Sequence, residues 1–288
     1  MYKLSQASGN ISGAVKKSLQ EDIGEGDITA ALIPKRKNTT ARIITRESGI
    51  LCGIPWVNEV YHQLNPGITI NWQVNDGNPI KSDQTLAILQ GNARDIVTGE
   101  RTALNWLQTL SGTATKVAHY VHCLERYRTT LLDTRKTLPG LRFAQKYAVR
   151  CGGGQNHRMG LYDAFLIKEN HIISCDSITN AIFQARLHHP KIRVEVEVEN
   201  KEELREAIHA KADIILLDNF SKKDIRAAVK LNAKQPEASR AKLEISGNVE
   251  QYQSTLQDIA ATGVDYISVG ALTKHVRALD LSMRLENQ

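Results

Sequence analysis

LLDTRKTLPGLRFAQKYAVRCGGGQNHRMGLYDAFLIKENH, residues 131–171, is the stretch on which the interpretation of the whole chain depends. A short apolar run at its start, 130–132, leads into polar residues, which is typical of a buried strand that ends at the edge of a sheet. A Pro-Gly pair opens a helical pattern, and three glycines at 152–154 let a ligand approach the backbone closely. A second apolar run, 164–167, predicts the next strand. The stretch therefore predicts a strand, a helix, a glycine-rich loop and a strand, in that order.

Cations are concentrated in this stretch, and they follow the strands or flank the glycines. Between Arg126 and Lys168 there are nine Lys or Arg residues against two acids, Asp133 and Asp163. A charge run is usually a solvated basic face, but cations at strand ends are better placed to line a pocket. We therefore favour a pocket for a strongly anionic ligand. Its candidate lining residues are Thr134, Arg135, Lys136, His157, Arg158 and Lys168.

The overall composition is that of a globular protein. The 288 residues carry a formal net charge of +6, and 41% of them are hydrophobic. No Lys/Arg tract is interleaved with aromatic residues, so a basic active site explains the charge better than nucleic-acid binding does. Four widely spaced cysteines without a CxxC pair predict reduced thiols. The N-terminus lacks a continuous apolar segment and no stretch reaches the length of a membrane span, so we expect a soluble, cytoplasmic protein with neither nucleic acid nor membrane as a partner.

The first part of the chain mixes helical and strand patterns, which predicts a small α+β unit with a mostly antiparallel sheet. A longer helix is predicted from Asn92 to Leu110, where Ser111 and Gly112 end it, and a second helix occupies 113–125. The predicted domain boundary therefore lies between residues 112 and 113. The earlier predicted elements are a helix at 11–21, strands at 39–46, 68–74 and 85–89, and a helix from Pro55 to Leu64.

Glu100 falls in the middle of the apolar face of the predicted helix that begins at Asn92. A carboxylate on an apolar face needs a partner. The neighbouring Arg101 either forms a structural ion pair with Glu100 or reaches outward to an anion or another subunit, and the pattern leaves both alternatives open.

From residue 130 onward short apolar strands alternate with helical patterns, which indicates a parallel sheet covered by helices. Several helices have clear N-terminal signals, for example Asn200 with Glu203 and Ser221 with Asp224. Six such units without a Rossmann glycine fingerprint favour a βα-barrel over an open doubly wound sheet. The predicted strands are 130–132, 164–167, 192–198, 214–217, 243–245 and 266–269.

The strand predicted at 192–198 carries charges at every second position. Its isoleucine and valines face the covering helices, so Arg193, Glu195 and Glu197 are expected to point into the barrel. Carboxylates inside a barrel are costly unless they meet cations or a metal. Glu197 and Asp218, at the ends of two successive strands, suit Mg²⁺ or ribose hydroxyls.

The last two predicted strands each end next to a glycine, in 245–248 and 269–271. Backbone N–H groups there suit a phosphate, which barrels often bind after their final strands. Neither a Ser-His-Asp nor a Cys-His arrangement is evident, and Cys151 is interpreted as a packing residue. Positioned cations, a metal and carboxylates suit displacement at a phosphorylated sugar or phosphoryl transfer.

Several motifs spread along the chain resemble those of one known protein family. The stretch from Thr134 to His171, together with SLQEDIGEGDIT, GERTALNWLQTLSG, VEVEVEN, ILLDNF, LEISGN and TGVDYISVGALT, resembles the quinolinate phosphoribosyltransferase family over nearly the whole chain. The resemblance implies an α/β protein: an open, seven-stranded, TIM-like βα-barrel at 113–275 and an N-terminal α/β sandwich domain at 1–112, with the tail 276–288 expected to pack back on it. It further implies conversion of quinolinate and phosphoribosyl pyrophosphate to nicotinate mononucleotide, pyrophosphate and CO₂ in NAD biosynthesis. Mg²⁺ and a homodimer, or a higher oligomer, with a shared active site are implied as well.

The resemblance also assigns roles to individual positions. Arg101 would bind a quinolinate carboxylate in the neighbouring subunit, which favours the second of the alternatives left open above. Arg135, His157 and Arg158 would hold the dicarboxylate, and Thr134 would be a further substrate-binding residue. Lys136 and Lys168 would lie against it and the pyrophosphate, and act in catalysis with Glu197 and Asp218, which would also hold the ribose hydroxyls and the metal. The 5′-phosphate would be bound by Ser246, Gly247, Asn248, Val269, Gly270 and Ala271; Asn248 replaces a second glycine of many relatives.

Two alternatives remain from the sequence. A phosphoribosyltransferase for nicotinate would need fewer cations, because its acceptor carries one carboxylate. A non-catalytic, molybdate-related member of the same fold would bind an oxyanion in the basic pocket, but it would have no use for sugar-facing acids such as Glu197 and Asp218.

Overall fold

A computed structural model describes residues 8–246 and 253–286 of the chain. The strands are β1 (Asn38–Thr45), β2 (Gly49–Ile50), β3 (Thr69–Trp72), β4 (Pro79–Ile80), β5 (Thr85–Asn92), β6 (Thr130–Leu132), β7 (Phe165–Ile167), β8 (Val194–Val198), β9 (Ile214–Leu217), β10 (Lys242–Ser246), β11 (Tyr266–Ser268) and β12 (Leu281–Leu285). The helices are α1 (Ser8–Ile23), α2 (Ile54–Leu64), α3 (Ala93–Leu124), α4 (Arg142–Cys151), α5 (Glu169–Ser174), α6 (Ile178–His188), α7 (Lys201–His209), α8 (Lys222–Asn232), α9 (Gln253–Ala260) and α10 (Ala271–Lys274). Among these described residues, no helix has both the length and the apolar content that a membrane crossing requires.

The chain divides into two compact units. The first comprises residues 1–118, 138–153 and 275–288 and contains an antiparallel sheet in the order β12-β1-β5-β3. The strand predicted at 39–46 is confirmed as β1, and it alternates: Ala41, Ile43 and Thr45 are fully buried while Arg42 is exposed. One hydrophobic core joins this sheet to α1, α2, α3 and α4.

The predicted helix break at Ser111 and Gly112 is wrong, because α3 runs without interruption from Ala93 to Leu124. Gly112 is needed for packing instead: a Cβ at this position would lie 1.9 Å from the backbone oxygen of Arg277. Ser111 Oγ accepts a hydrogen bond from the backbone N–H of Cys52 and donates one to its carbonyl oxygen. Both residues that signal a helix end in sequence therefore serve close contacts in the first unit.

The second unit comprises residues 119–137 and 154–274 and contains the parallel sheet β6-β11-β10-β9-β8-β7. All six strands predicted from the apolar runs are present, and β6 and β7 are the edge strands of the described sheet. Leu132 at the end of β6 also forms an isolated parallel bridge with Gln155. The described residues thus give a barrel-like parallel sheet of six strands, with this bridge beside β6, where the resemblance implied seven strands.

The predicted capping signals in the second unit are confirmed. The side chain of Asn200 accepts a hydrogen bond from the backbone N–H of Glu203 and begins α7. Ser221 does the same for Asp224 at the start of α8. Because caps of this kind satisfy backbone donors at the start of a helix, they fix where each strand's loop stops and its helix starts. The loops after β8 and β9, which carry Glu199 and Asp218, are therefore short.

Candidate active site

The carboxyl ends of the parallel strands surround a cavity of about 340 Å³. Because the strands run in the same direction, residues that follow each apolar run in sequence are brought to the same edge. Eight of the predicted site residues line this cavity, and all of them belong to the second unit. The full lining is Thr134, Arg135, Lys136, His157, Arg158, Leu166, Lys168, Glu197, Leu216, Glu244, Ser246 and Ser268.

Two guanidinium groups, those of Arg135 and Arg158, face the same cavity. Burial, and then the nearby charge of Arg135, lower the pKa of Arg158 from its usual value. One guanidinium nitrogen of Arg158, Nη1, donates to the backbone oxygen of Ala164 at 3.2 Å. Its Nε is buried without a hydrogen-bond partner among the described residues. Two like charges held together, one with an unused donor, are a site for a multivalent anion.

Lys168 and Glu197 meet across the ends of β7 and β8. The ammonium Nζ lies 2.5 Å from Glu197 Oε2, and the carboxylate is the more buried partner, with 19% of its side chain exposed against 48% for Lys168. The Lys168 ammonium and the Glu197 carboxylate thus place a positive and a negative charge side by side in the cavity. A ligand with both anionic and cationic character can therefore be recognised there.

Asp133, the residue that follows β6, is fully buried and holds the loop that carries the cations. Its carboxylate accepts hydrogen bonds from the Asn156 side chain at 2.6 Å and from the backbone N–H of His157 at 2.9 Å. Since Asp133 follows β6 and His157 lies in the segment between α4 and β7, this carboxylate fixes the two cationic segments relative to each other.

The ring nitrogens of His157 are both engaged within the protein. Nδ1 accepts a hydrogen bond from the backbone N–H of Arg158 at 2.7 Å, and Nε2 lies 2.9 Å from Glu195 Oε2 and 3.7 Å from Glu244 Oε1. Burial, and then the charge of Glu195, raise the pKa of Glu244 to about 7. The predicted role of His157 in holding a substrate carboxylate stays a prediction, since both ring nitrogens contact groups of the protein.

The predicted phosphate loops are described in part. Ser246 and Ser268, at the ends of β10 and β11, both line the cavity. Gly247 and Asn248 lie outside the described residues. Gly270 follows β11, and a Cβ there would come within 3.0 Å of Lys136 Cδ, so a glycine at this position leaves room for that lysine. Val269 and Ala271 on either side of it are buried.

Five of the predicted site residues that the structure describes do not line this cavity: Val269, Gly270 and Ala271, treated above, and Asp218 and Arg101. Asp218 follows β9, where its backbone N–H donates to Val198 at 3.0 Å and its carboxylate accepts from the Asn219 side chain. Arg101 is exposed on α3 in the first unit. Its neighbour Glu100 has a pKa raised by burial, an effect that the charge of Arg101 opposes. The predicted roles of Asp218 and Arg101 stay predictions.

Two groups of acidic, imidazole or thiol side chains in the described chain are close enough to share a metal ion, and neither includes Glu197 or Asp218. One is formed by His157, Glu195 and Glu244. The other, in the first unit, is formed by Cys52, Asp76 and Cys151. A hydrogen bond from Cys52 lowers the pKa of Cys151, whose side chain packs against the core of that unit, as predicted.

Sequence analysis missed Glu244 and Ser268 as lining residues. The signal was present in both cases: Glu244 is the middle residue of the run predicted at 243–245, between Leu243 and Ile245, and Ser268 ends β11. The predicted run 243–245 has three residues, which are too few to show the alternation that marks β8. Leu166 and Leu216 add an apolar surface to the cavity that no local pattern marked as functional.

Comparisons with known proteins agree over most of the length of the chain. Residues 27–111 match the family model of the quinolinate phosphoribosyl transferase N-terminal domain, and residues 113–284 match that of its C-terminal domain. A probable nicotinate-nucleotide pyrophosphorylase (carboxylating) of Bacillus subtilis is 41% identical over 91% of this chain and 89% of its own length. A decarboxylating quinolinate phosphoribosyltransferase of Nicotiana tabacum is 36% identical over 97% of this chain and 83% of its own length. The solved structure of the nicotinate-nucleotide pyrophosphorylase from Francisella tularensis superimposes with a TM-score of 0.92 at 50% identity, covering 97% of both chains.

Proposed function

Because the chain belongs to the quinolinate phosphoribosyltransferase family, we propose that it transfers the phosphoribosyl group of phosphoribosyl pyrophosphate to quinolinate with loss of CO₂. The products are nicotinate mononucleotide, pyrophosphate and CO₂, and the reaction is a step of NAD biosynthesis. The observation that supports this most is the pair of guanidinium groups, Arg135 and Arg158, facing one cavity. An acceptor with two adjacent carboxylates supplies the two negative charges that this pair needs.

We place the donor sugar beside Glu197. Glu197 faces the cavity at the end of β8, against Lys168 at the end of β7 and two strands away from Ser246 at the end of β10. In our proposal, Lys136 and Lys168 stabilise the charge that develops on departing pyrophosphate, and Glu197 faces the positive charge that builds on the ribose carbon. Ser246 and the loop after β11 bind the 5′-phosphate.

Mg²⁺ is part of this proposal. Glu197 and Asp218 supply oxygen ligands at the ends of the adjacent strands β8 and β9, and such ligands suit a hard cation. The ammonium of Lys168 already lies against Glu197 Oε2, so the other oxygen of that carboxylate is the one left for a metal or for ribose hydroxyls. When bound, Mg²⁺ would add positive charge beside the leaving pyrophosphate.

The chemistry then needs no nucleophile from the protein. The pyridine nitrogen forms a bond to the ribose carbon while the bond from that carbon to pyrophosphate breaks. The quaternised nitrogen draws electrons, so the bond between the ring and the adjacent carboxylate breaks, CO₂ leaves, and a proton takes its place on the ring carbon. The task of the cations is to hold the dicarboxylate in line with the sugar.

Product formation tests the function. The purified chain, given quinolinate, phosphoribosyl pyrophosphate and Mg²⁺, is expected to release nicotinate mononucleotide, pyrophosphate and CO₂ in equal amounts, measured by chromatography and by trapping of carboxyl-labelled CO₂. Nicotinate in place of quinolinate serves as the matched acceptor. Faster turnover of nicotinate would identify a different phosphoribosyltransferase, and no product from either acceptor would refute the transferase proposal.

We also propose a homodimer in which each active site is completed by Arg101 of the other copy. Ile28 and Leu32 in the first unit are large apolar residues with 88% and 84% of their surface exposed, which is unusual for residues that stay in water. Arg101 is exposed in the same unit. These features support a surface of the first unit that another subunit covers, with the arginine directed towards that subunit.

Mixing two inactive variants tests the shared site. Arg101→Ala and Arg135→Ala are each expected to be nearly inactive, because each removes one cation from every site. After subunit exchange, a mixed dimer contains one site with both arginines intact, so up to half of the wild-type activity per mixed dimer should return. Exchange is verified with affinity-tagged copies, and absence of recovery in verified mixed dimers would contradict a shared site.

A further inference from the structure

Glu195, Glu244 and the ring of His157 form a largely buried group that we name the acid–imidazole cluster. His157 and Glu244 also line the cavity. Glu195 is 3% exposed and Glu244 is fully buried. The two carboxylates come from β8 and β10, on either side of β9, and both reach Nε2 of His157, at 2.9 and 3.7 Å. The cluster thus connects two strands of the barrel to the loop that carries Arg158.

The hydrogen bonds define which nitrogen of His157 carries a proton. Nδ1 accepts the backbone N–H of Arg158 at 2.7 Å, so its lone pair is in use. The proton must then be on Nε2, from which it is donated to Glu195. A nitrogen in this state offers no lone pair to a metal, so the cluster is a hydrogen-bond relay, although its three groups are close enough to share an ion.

The cluster is costly to the fold, and this cost points to a role outside stability. Two carboxylates are buried side by side: among the described residues Glu195 Oε1 has no hydrogen-bond partner, and the charge of His157 and the Ser268 side chain offset only part of the burial of Glu244. Buried polar atoms without partners destabilise a protein, and well-packed apolar residues of similar volume are usually tolerated better. Burial, and then the charge of Glu195, raise the pKa of Glu244 to about 7.

A short path leads from the cluster to the guanidinium group in the cavity. His157 is held by Glu195 on one side, and its other nitrogen holds the backbone of Arg158. The guanidinium group of Arg158 donates a hydrogen bond to the backbone oxygen of Ala164. Displacing the imidazole would therefore displace the backbone from which the Arg158 guanidinium extends.

We propose that Glu195 and Glu244 are positioning residues for the acceptor: through the His157 ring they set the position of Arg158 and thereby the affinity for the dicarboxylate. This inference rests on the proposed function, because quinolinate is the ligand that it concerns. Both acids act on the part of the cavity that carries Arg158, through the His157 ring that they share. Their loss should therefore affect the two substrates unequally.

The test compares substitutions at both acids with a matched control. Glu195→Ala removes the acceptor of the His157 proton and is expected to raise the KM and the calorimetric Kd for quinolinate about tenfold, as for loss of a charged hydrogen bond. The KM for phosphoribosyl pyrophosphate should change less than twofold. Glu195→Gln, which keeps one oxygen acceptor, should recover part of the loss, and it replaces the alanine variant if that one does not fold. Glu244→Ala removes the second carboxylate beside the ring and is expected to raise the quinolinate KM and Kd too, but by less than Glu195→Ala, because its oxygen lies 3.7 Å from Nε2 against 2.9 Å for Glu195; an unchanged quinolinate KM in this variant would remove Glu244 from the proposal.

Glu237→Gln is the control, since Glu237 is exposed in the same unit. A merely structural role for the acids would reduce the active fraction, and with it kcat, without changing the quinolinate KM. This pattern would overturn the inference. A double variant, Glu195→Ala with His157→Asn, should bind quinolinate no more weakly than the weaker single variant, because the two residues act along one path. Additive losses would also overturn it. A wild-type chain that binds quinolinate but forms no product would refute the proposed function alone, since the Kd comparison stands without turnover.

Discussion

Arg158→Ala is expected to reduce kcat/KM for quinolinate by about 100- to 1000-fold. Arg158 shares the cavity with Arg135, and its Nε is a buried donor without a partner in the described chain. Removing one member of a desolvated charge pair costs about 2–5 kcal/mol, and each 1.4 kcal/mol corresponds to roughly a factor of ten. The larger part of the loss should fall on the quinolinate KM, with a further loss in kcat from misplacement of the pyridine nitrogen. Steady-state kinetics with each substrate varied in turn measures both parts.

Arg205→Ala is the matched control for that substitution. Arg205 is an exposed arginine of the same unit and pairs with Glu202 on α7, so its loss should leave both KM values unchanged. Near-normal quinolinate kinetics in Arg158→Ala would remove this residue from the acceptor site and, with it, the main support for a dicarboxylate ligand.

Glu197→Gln is expected to lower kcat by about 100- to 1000-fold, the loss seen when one preorganised group that faces transition-state charge is removed. The substitution keeps the size of the side chain and removes its charge, so it separates charge from packing. Glu197 also holds Lys168 at 2.5 Å, and the freed ammonium would then lie where positive charge develops on the sugar. Binding of quinolinate alone should be nearly unaffected, which calorimetry can show.

Glu202→Gln provides the comparison for this second substitution, since Glu202 is exposed on α7 with 79% of its side chain accessible. It should change kcat less than twofold. If Glu197→Gln raised only the quinolinate Kd and left kcat intact, Glu197 would belong to the acceptor side of the cavity and the proposed arrangement of donor and acceptor would be wrong.

The parallel sheet and most of the cavity were predictable because their signals are local. Short apolar runs give the strands, the Asn200 and Ser221 caps give the helix starts, and parallel strands necessarily bring the residues that follow them to one edge. For this reason the grouping of Arg135, Lys136, Arg158 and Lys168 could be expected without coordinates. The identity of the acceptor could not, and it came from the family resemblance.

The errors and omissions have a non-local origin. Gly112 has the local character of a helix terminator, but its role depends on a backbone that approaches from Arg277, far along the chain. Glu244 gains its importance from Glu195 and His157, which reach it only after three strands are aligned in register. No window of sequence contains such information, since it arises from pairing between distant segments.

A crystal structure of the protein with bound quinolinate is the decisive measurement. One carboxylate of the ligand is expected against the guanidinium groups of Arg135 and Arg158, with the pyridine nitrogen directed towards Glu197 and the serines at the ends of β10 and β11. Quinolinate bound elsewhere, with this cavity left to solvent, would contradict the proposal that the cations form the acceptor site.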